Sequence, residues 1–284
     1  MSRTVYVNGD FLPEADAKIS VFDRGFLFAD GVYEVSAVVG GKLVDNAAHL
    51  ARLDRSLQEL GMTPPATGDE ITALQYDLIA RNGLEEGLVY LQVTRGAADR
   101  DFGYPKDAAP SLVMFTQARP VTRNPVAETG ISVITVPEIR WQRRDIKTVG
   151  LLAACMAKEA AKAAGAGDAW FVENGYVTEG SSNNAFIVKT AGTLVTRQLS
   201  TEILHGITRK AVLALCAREG IALEERPFTP EEAYEAAEAF STSASAFVMP
   251  VVKIDDRILS NGAPGPVAAK LRKLYIEMAR DSAA

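Results

Sequence analysis

The stretch RRDIKTVG, residues 143–150, sets one lysine between a predicted strand and a predicted helix. The strand is ISVITVPEI (131–139), and the helix begins in the apolar run VGLLAACMA (149–157). Most lysines are solvated surface charges. The apolar sequence beyond this charged run instead predicts a pocket for Lys147, where desolvation disfavours the ammonium form and leaves a nucleophilic amine. Lys147 is therefore a candidate to form a Schiff base.

The composition is that of an ordinary soluble globular protein. The chain has 284 residues, 48 % hydrophobic and 23 % charged, with a formal net charge of −6. This length suits one large domain or two modest ones. The negative balance argues against a nucleic-acid-binding or membrane-binding surface. The first ten residues lack a signal-peptide pattern, and no apolar run reaches the length of a membrane span.

The cysteines and histidines point to neither a disulfide nor a metal. Cys155 and Cys216 both lie in apolar helical stretches, so buried free thiols in a reducing cytoplasm are expected. His49 and His205 stand outside any cluster with ligand spacing, so we expect no metal site.

The pattern of elements predicts an α+β fold with two domains and mixed sheets. Turns at Asn8-Gly9 and Gly40-Gly41 mark hairpins, and leucines at helical spacing in 45–61 mark a helix that stops at a glycine. The stretch QARPVTRNPVAE (117–128) has two prolines and no apolar periodicity. We therefore predict a small N-terminal domain at 1–117, a linker at 118–128 and a large domain at 129–284.

A carboxylate follows the strand that starts at Tyr176. Glu179 precedes Gly180 and four small polar residues, in a loop rich in hydrogen-bonding groups. A plain polar turn is one interpretation. The other is a carboxylate at a strand end, aimed at a cationic or N–H-bearing ligand atom.

Three further stretches could bind an anion. Gly206-Ile207-Thr208 opens a helix and combines backbone N–H groups with a hydroxyl, although Thr208 could simply cap the helix. STSAS (241–245) is a second loop of small hydroxyl residues. Arg52 lies one position off the leucine stripe, where it could reach inward to a phosphate or lie on a solvated helix face.

Together these pieces resemble the fold-type IV pyridoxal-phosphate aminotransferases, and among them the D-amino-acid aminotransferases most closely. The matching motifs occur in the family's order and span nearly the whole chain: FDRGFLFADGVYEV (22–35), HLARL (49–53), QVTRG (92–96), IRWQRRDIKT (139–148), VTEGSSNN (177–184), GITR (206–209) and STSAS. The resemblance implies the two-domain fold of that family, with mixed sheets and flanking helices.

The resemblance also implies roles for particular residues. Lys147 would bond to the cofactor, pyridoxal 5′-phosphate, and then carry a proton to and from the substrate Cα. Glu179 would keep the pyridine nitrogen protonated, so that the ring acts as an electron sink. The other implied cofactor-binding residues are Arg52, Ser182, Asn183, Ile207, Thr208, Ser243 and Ala244.

Two positions depart from the family pattern. Ala244 stands where these enzymes often carry a hydroxyl, so one side-chain contact to phosphate is missing. In the carboxylate-binding set, Tyr33 and Arg100 match the family, but Phe102 replaces a histidine. The loop around Arg100 reaches the neighbouring subunit in the family, which implies a homodimer.

The predicted reaction is transfer of an amino group from a D-amino acid, such as D-alanine or D-glutamate, to a 2-oxo acid by a ping-pong mechanism. Alternatives on the same scaffold are branched-chain L-amino-acid aminotransferase and (R)-selective amine transaminase. Another is 4-amino-4-deoxychorismate lyase, and a silent cofactor-binding relative is a further one. Arg100 favours the D-amino-acid enzyme, and Phe102 keeps the (R)-amine enzyme open.

Overall fold

The computed structural model describes residues 2–281, which divide into two compact units. The N-terminal unit comprises 2–121 together with 146–150, and the C-terminal unit comprises 122–145 and 151–281. The boundary between the units at residues 121 and 122 falls inside the predicted linker, 118–128. The short segment 146–150, which contains Lys147, groups with the N-terminal unit. The large unit is therefore interrupted there, whereas the predicted domain 129–284 was continuous.

The N-terminal unit is built on an antiparallel sheet. Within the described residues its strands are β1 (Thr4–Val7), β2 (Asp10–Pro13), β3 (Gly31–Val39), β4 (Lys42–Leu43), β5 (Glu86–Thr94) and β6 (Ser111–Ala118). Their order in the sheet is β2-β1-β6-β5-β3-β4. Both predicted hairpins are confirmed, since β1 pairs with β2 and β3 with β4. Gly40 and Gly41 take φ of 57° and 72° in the second turn, a region that glycine enters without steric cost.

Helices cover this sheet and supply its core. They are α1 (Arg24–Phe28), α2 (Asn46–Glu59) and α3 (Gly68–Asn82). The predicted leucine helix is α2, whose Leu53 and Leu57 are fully buried, and α2 packs against β3. A capping box between Thr67 and Glu70 starts α3.

The C-terminal unit holds a mixed sheet flanked by helices, as predicted. Its strands are β7 (Ile131–Pro137), β8 (Asp168–Glu173), β9 (Tyr176–Gly180), β10 (Asn184–Val188), β11 (Leu194–Thr196), β12 (Leu223–Glu225), β13 (Glu238–Ser243), β14 (Phe247–Ile254) and β15 (Arg257–Ile258). The order is β12-β11-β10-β13-β14-β7-β8-β9, and β15 pairs with β14. The strand β7 runs parallel to both β8 and β14, while β10 and β13 are antiparallel.

The helices of this unit are α4 (Pro125–Thr129), α5 (Leu152–Ala163), α6 (Ile207–Arg218), α7 (Pro230–Tyr234) and α8 (Pro266–Asp281). Helix α4 begins inside the predicted linker and ends one residue beyond it. Asn124 caps this helix and Pro125 occupies its first turn. Helix α6 packs against β13 and α8. Buried aromatic rings fill the core, including a stacked pair, Phe186 and Phe240, at 4.7 Å.

The two cysteines differ in burial. Cys216 on α6 is buried, and burial raises the pKa of its thiol to about 11. Cys155 on α5 is exposed, so the prediction that both are buried is wrong for it. Helix α5 packs through its small residues Ala157 and Ala161, which leaves Cys155 and Met156 on the outer side.

Between residues 2 and 281, no helix is both long and apolar enough to cross a membrane. In the same range, no cluster of three or more His, Cys, Asp or Glu is arranged to hold a metal ion.

Candidate active site

The backbone of Lys147 pairs with the first residues of strand β3, the end of that strand that β4 does not cover. Its carbonyl accepts from Tyr33 N at 3.0 Å, and Val149 N donates to Gly31 O at 3.0 Å. Lys147 N donates to Ser56 Oγ at 3.4 Å. The pairing of 146–150 with β3 therefore fixes the backbone of this lysine, and no sequence pattern predicted these backbone hydrogen bonds.

The side chains of Lys147 and Tyr33 lie together. Lys147 is half-buried, with Nζ 4.1 Å from the centre of the Tyr33 ring. The Tyr33 ring stacks on Tyr90 at 5.5 Å, and Tyr90 stacks in turn on Phe115 at 4.6 Å. The Lys147 amine therefore lies beside the first of three stacked aromatic rings.

Arg52 is buried, which excludes the solvated helix face as its environment. Its Nε donates to Glu34 Oε1 at 2.7 Å and its Nη2 to Glu34 Oε2 at 2.8 Å. His49 Nδ1 lies 2.8 Å from Glu34 Oε2. Burial raises the pKa of Glu34, but Arg52 and His49 outweigh that effect and lower it to about 2.

Glu179 lies buried at the end of β9, so the interpretation as a plain polar turn is wrong for this residue. It accepts from Arg140 Nη1 at 2.7 Å, Asn184 Nδ2 at 3.0 Å and Leu204 N at 3.1 Å. Burial raises the pKa of Glu179 above its ordinary value, and the Arg140 guanidinium opposes the shift. The structure thus holds a fixed acid group inside the C-terminal unit.

A second acid binds the side chain of Arg140. Glu138 accepts from Arg140 Nη2 at 2.6 Å, and Arg144 Nη1 lies 2.8 Å from Glu138 Oε2. Burial raises the pKa of Glu138, but Arg140 and Arg144 outweigh it and lower it to about 2. Sequence reasoning missed Glu138 and Arg140, as it missed the roles of Glu34 and His49. The available signal was their position within or beside the quoted motifs.

The loop after Glu179 is ordered by a buried aspartate. Gly180 N donates to Asn183 O at 2.7 Å, which closes a tight turn. Asp168 accepts hydrogen bonds from Ser181 Oγ and Asn183 Nδ2. Of the two loop residues predicted to bind the cofactor, Asn183 is half-buried and Ser182 is exposed.

The N-terminus of α6 lies in the same unit. Gly206 occupies the N-cap position, with Ile207 and Thr208 inside the helix, so the alternative that Thr208 caps the helix is wrong. A Cβ at Gly206 would stand 2.0 Å from Asn184 Oδ1, so this helix start requires glycine. A twelve-residue helix that begins without a side-chain cap suits an anion.

Ser243 ends β13 and Ala244 begins the turn to β14, and α6 packs against β13. Ser243 Oγ accepts from Ala246 N at 3.2 Å. Ala244 is half-buried and has a methyl group at the position where the resembled family often carries a hydroxyl. Next to Ser243, the buried Oγ1 of Thr242 has no hydrogen-bond partner within the described chain.

Arg100 and Phe102 lie on an exposed loop of the N-terminal unit. The Arg100 guanidinium lies 5.3 Å from the Phe28 ring centre and 5.5 Å from that of Phe102. Phe102 is 79 % exposed. The loop therefore presents a cation beside apolar rings.

The chain belongs to the amino-transferase class IV family, whose model matches residues 31–254. Curated relatives include a D-alanine aminotransferase of Bacillus licheniformis, 36 % identical over 94 % of this chain and 94 % of that protein. A D-alanine aminotransferase of Staphylococcus epidermidis is 37 % identical over 95 % of each chain. A branched-chain aminotransferase of Thermoproteus uzoniensis, solved with norvaline, is 28 % identical, covers 98 % of this chain and 95 % of that one, and superposes with a TM-score of 0.87.

The same fold occurs at lower identity. The Escherichia coli branched-chain enzyme has a TM-score of 0.91 at 22 % identity, covering 98 % of this chain and 95 % of that one. This likeness confirms the predicted fold class. Class IV aminotransferases depend on pyridoxal phosphate, and another structural neighbour in the family was solved with pyridoxamine 5′-phosphate.

The residues present fit that cofactor. The N-terminal unit has a half-buried amine, Lys147, and the C-terminal unit has a buried acid, Glu179, which are the kinds of group that an aldehyde and a pyridine nitrogen require. For the cofactor's phosphate, the C-terminal unit supplies a helix N-terminus without a side-chain cap and the unpartnered buried Oγ1 of Thr242.

Proposed function

We propose that this chain is a pyridoxal-phosphate-dependent aminotransferase that moves an amino group from a D-amino acid to a 2-oxo acid. The full-length likeness to D-alanine aminotransferases supports the substrate class. The observation that carries the reaction is Lys147, a half-buried amine on a segment fixed by backbone bonds to β3.

Pyridoxal phosphate supplies an aldehyde that condenses with amines and a protonated ring that withdraws electrons from the substrate Cα. Lys147 would hold the cofactor through its amine and would then carry the proton to and from the substrate Cα. Glu179 keeps a proton at the ring nitrogen, and its three donors fix the position of its carboxyl group. Glu138 fixes Arg140 in turn.

The phosphate is assigned to hydrogen-bond donors from three places in the chain. Ile207 and Thr208 provide backbone N–H groups at the start of α6, and Thr208 adds a hydroxyl. Ser243 Oγ and the backbone at Ala244 come from the turn after β13. Arg52 contributes a guanidinium whose orientation Glu34 fixes. Ser182 and Asn183 complete the proposed cofactor-binding set.

Arg100 and Tyr33 are assigned to the substrate α-carboxylate. We infer a homodimer in which the loop around Arg100 serves the partner's site, as the family resemblance implies. A cytoplasmic location remains a prediction from cysteine usage. Phe102 favours one second candidate, an (R)-amine transaminase, because an exposed ring beside Arg100 suits an aryl amine.

Two experiments test the proposal. Lys147→Ala is expected to abolish turnover and the borohydride-reducible chromophore, because no other amine is assigned this role. An active Lys147→Ala protein would overturn the mechanism. A panel of D-alanine, L-leucine, (R)-1-phenylethylamine and aminodeoxychorismate is expected to give the highest kcat/KM with D-alanine. A preference for any other member would replace the proposed substrate class.

A further inference from the structure

The Arg100 loop, residues 99–104, is exposed, yet it is fastened to buried arginines. Arg24 is 2 % exposed and Arg95 is 7 % exposed. Arg24 Nη1 donates to the carbonyl oxygen of Asp101 at 2.6 Å and to that of Gly103 at 3.3 Å. These carbonyls flank residue 102, so one guanidinium holds the backbone on both sides of it.

Arg95 fastens the end of the loop. Its guanidinium carbon lies 3.7 Å from the centre of the Tyr104 ring, and its Nη2 donates to Leu60 O at 2.9 Å. Asp30 Oδ2 accepts from Arg24 Nε and from Arg95 Nε, each at 2.8 Å. A single carboxylate therefore couples the two arginines.

The charges of this cluster explain why it constrains the loop. Two buried guanidiniums face one carboxylate, so backbone carbonyls must accept the remaining N–H groups. Moving the loop would take the Asp101 and Gly103 carbonyls away from Arg24. Because a buried charged donor without its acceptor is strongly unfavourable, the loop backbone stays attached to Arg24.

The contacts of Arg100 itself are too weak to place it. Its guanidinium lies more than 5 Å from the rings of Phe28 and Phe102, at 5.3 and 5.5 Å. Exposed cation–π contacts of this kind are weak, because water competes for the cation. The position of Arg100 therefore depends on the backbone beneath it.

We propose that Arg24 and Arg95, coupled through Asp30, are positioning residues that set the geometry in which Arg100 binds the donor carboxylate. This inference rests on the proposed function, in which Arg100 is the carboxylate anchor. Neither arginine touches substrate; each acts through the loop backbone or through Tyr104.

The test uses the holoenzyme of the variant Arg24→Lys, which keeps the charge but loses the planar guanidinium that binds Asp30 through Nε and the two loop carbonyls through Nη1. The donor half-reaction is followed by the cofactor chromophore without any acceptor, since a 2-oxo acid would use the same anchor. For D-alanine, the apparent Kd is expected to rise about tenfold, with the limiting rate changed by less than about twofold. With (R)-1-phenylethylamine, which lacks a carboxylate, both values should stay unchanged.

A second variant provides the same test in case Arg24→Lys does not fold correctly. Tyr104 is 63 % exposed, so Tyr104→Ala removes the ring over Arg95 with little effect on the core. It should show the same selective loss for D-alanine, and Tyr104→Phe should restore wild-type values. Tyr76→Ala, an exposed tyrosine on α3, is the matched control and should behave as wild type.

Hydrogen exchange of the cofactor-free protein separates this inference from the proposed function. Amide exchange at residues 100–104 should accelerate in Arg24→Lys and Tyr104→Ala, and not in Tyr104→Phe or Tyr76→Ala. Unchanged exchange, or equal losses for both donors, would overturn the inference. A wild-type protein that reacts with neither donor would overturn the proposed function, while exchange still decides whether the arginines hold the loop.

Discussion

Arg52 and Glu34 form a two-bonded ion pair inside the N-terminal unit. The planar fork of a guanidinium matches a carboxylate, so this pair sets the plane of the Arg52 side chain as well as its position. His49 adds a further contact to the same carboxylate. At the scale of single residues, Glu34 therefore determines the orientation in which Arg52 would contact the phosphate.

Ala244 offers the sharpest single-residue prediction. Ala244→Ser restores a hydroxyl in the half-buried turn after β13 and should strengthen cofactor binding by about 1–2 kcal/mol through one added hydrogen bond. The dissociation constant of pyridoxal phosphate, measured by fluorescence titration, should fall roughly five- to thirtyfold. Ser260→Ala, a change far along the chain from this turn, is the control. An unchanged constant for Ala244→Ser would show that the turn does not reach the phosphate.

At the scale of elements, the start of α6 depends on its contact with β10. Gly206 brings the helix against Asn184, which begins β10 and donates to both Glu179 and Leu204 O. One amide side chain therefore links a helix terminus, a strand and the buried acid. A shift of this helix would move the proposed phosphate donors and Glu179 together.

The variant Gly206→Ala tests that coupling. Its Cβ would stand 2.0 Å from Asn184 Oδ1, so Asn184 must move and lose its bonds. Overpacking of this kind should lower the free energy of unfolding by about 1–3 kcal/mol, measured in urea. Gly68→Ala is a matched control at the start of α3, because its new Cβ would meet nothing closer than 3.8 Å. Equal stability of the two variants would contradict the argument.

At the scale of the whole molecule, buried acids make the fold sensitive to low pH. The pKa values of Glu34 and Glu138 are lowered to about 2 by their arginine partners, which outweigh burial. Since both pKa values lie below those of the unfolded chain, the ion pairs stabilise the fold above about pH 4.5. That stabilisation is lost as the pH falls towards 2.

Glu34→Gln isolates one part of this dependence. It removes the titrating group, so it should remove on the order of 3 kcal/mol of the stability change between pH 4.5 and pH 2. Urea unfolding of the cofactor-free protein across that range measures the slope of the free energy of unfolding against pH. Glu14→Gln, at an exposed salt bridge with Arg3, is the control and should leave the slope nearly unchanged. A Glu34→Gln slope equal to that of the wild type would refute the assignment.

Local sequence signals were enough to predict several elements of the fold. Asn8-Gly9 places a hairpin because turn geometry needs those residue types, and the leucine spacing of α2 places its buried face. The motifs also identified Lys147 and Glu179 as candidates. Each of these conclusions rests on residues that are neighbours in the sequence.

The features that join distant parts of the chain could be identified in the folded molecule alone. The pairing of 146–150 with β3, the Arg52–Glu34 pair and the Arg24–Asp30–Arg95 cluster all involve backbone or charge contacts between segments far apart in sequence. The exposure of Cys155 likewise depends on which face of α5 packs inward. A hydrogen bond between such segments leaves no periodic trace in either one, because its energy depends on where both segments lie once the chain has folded.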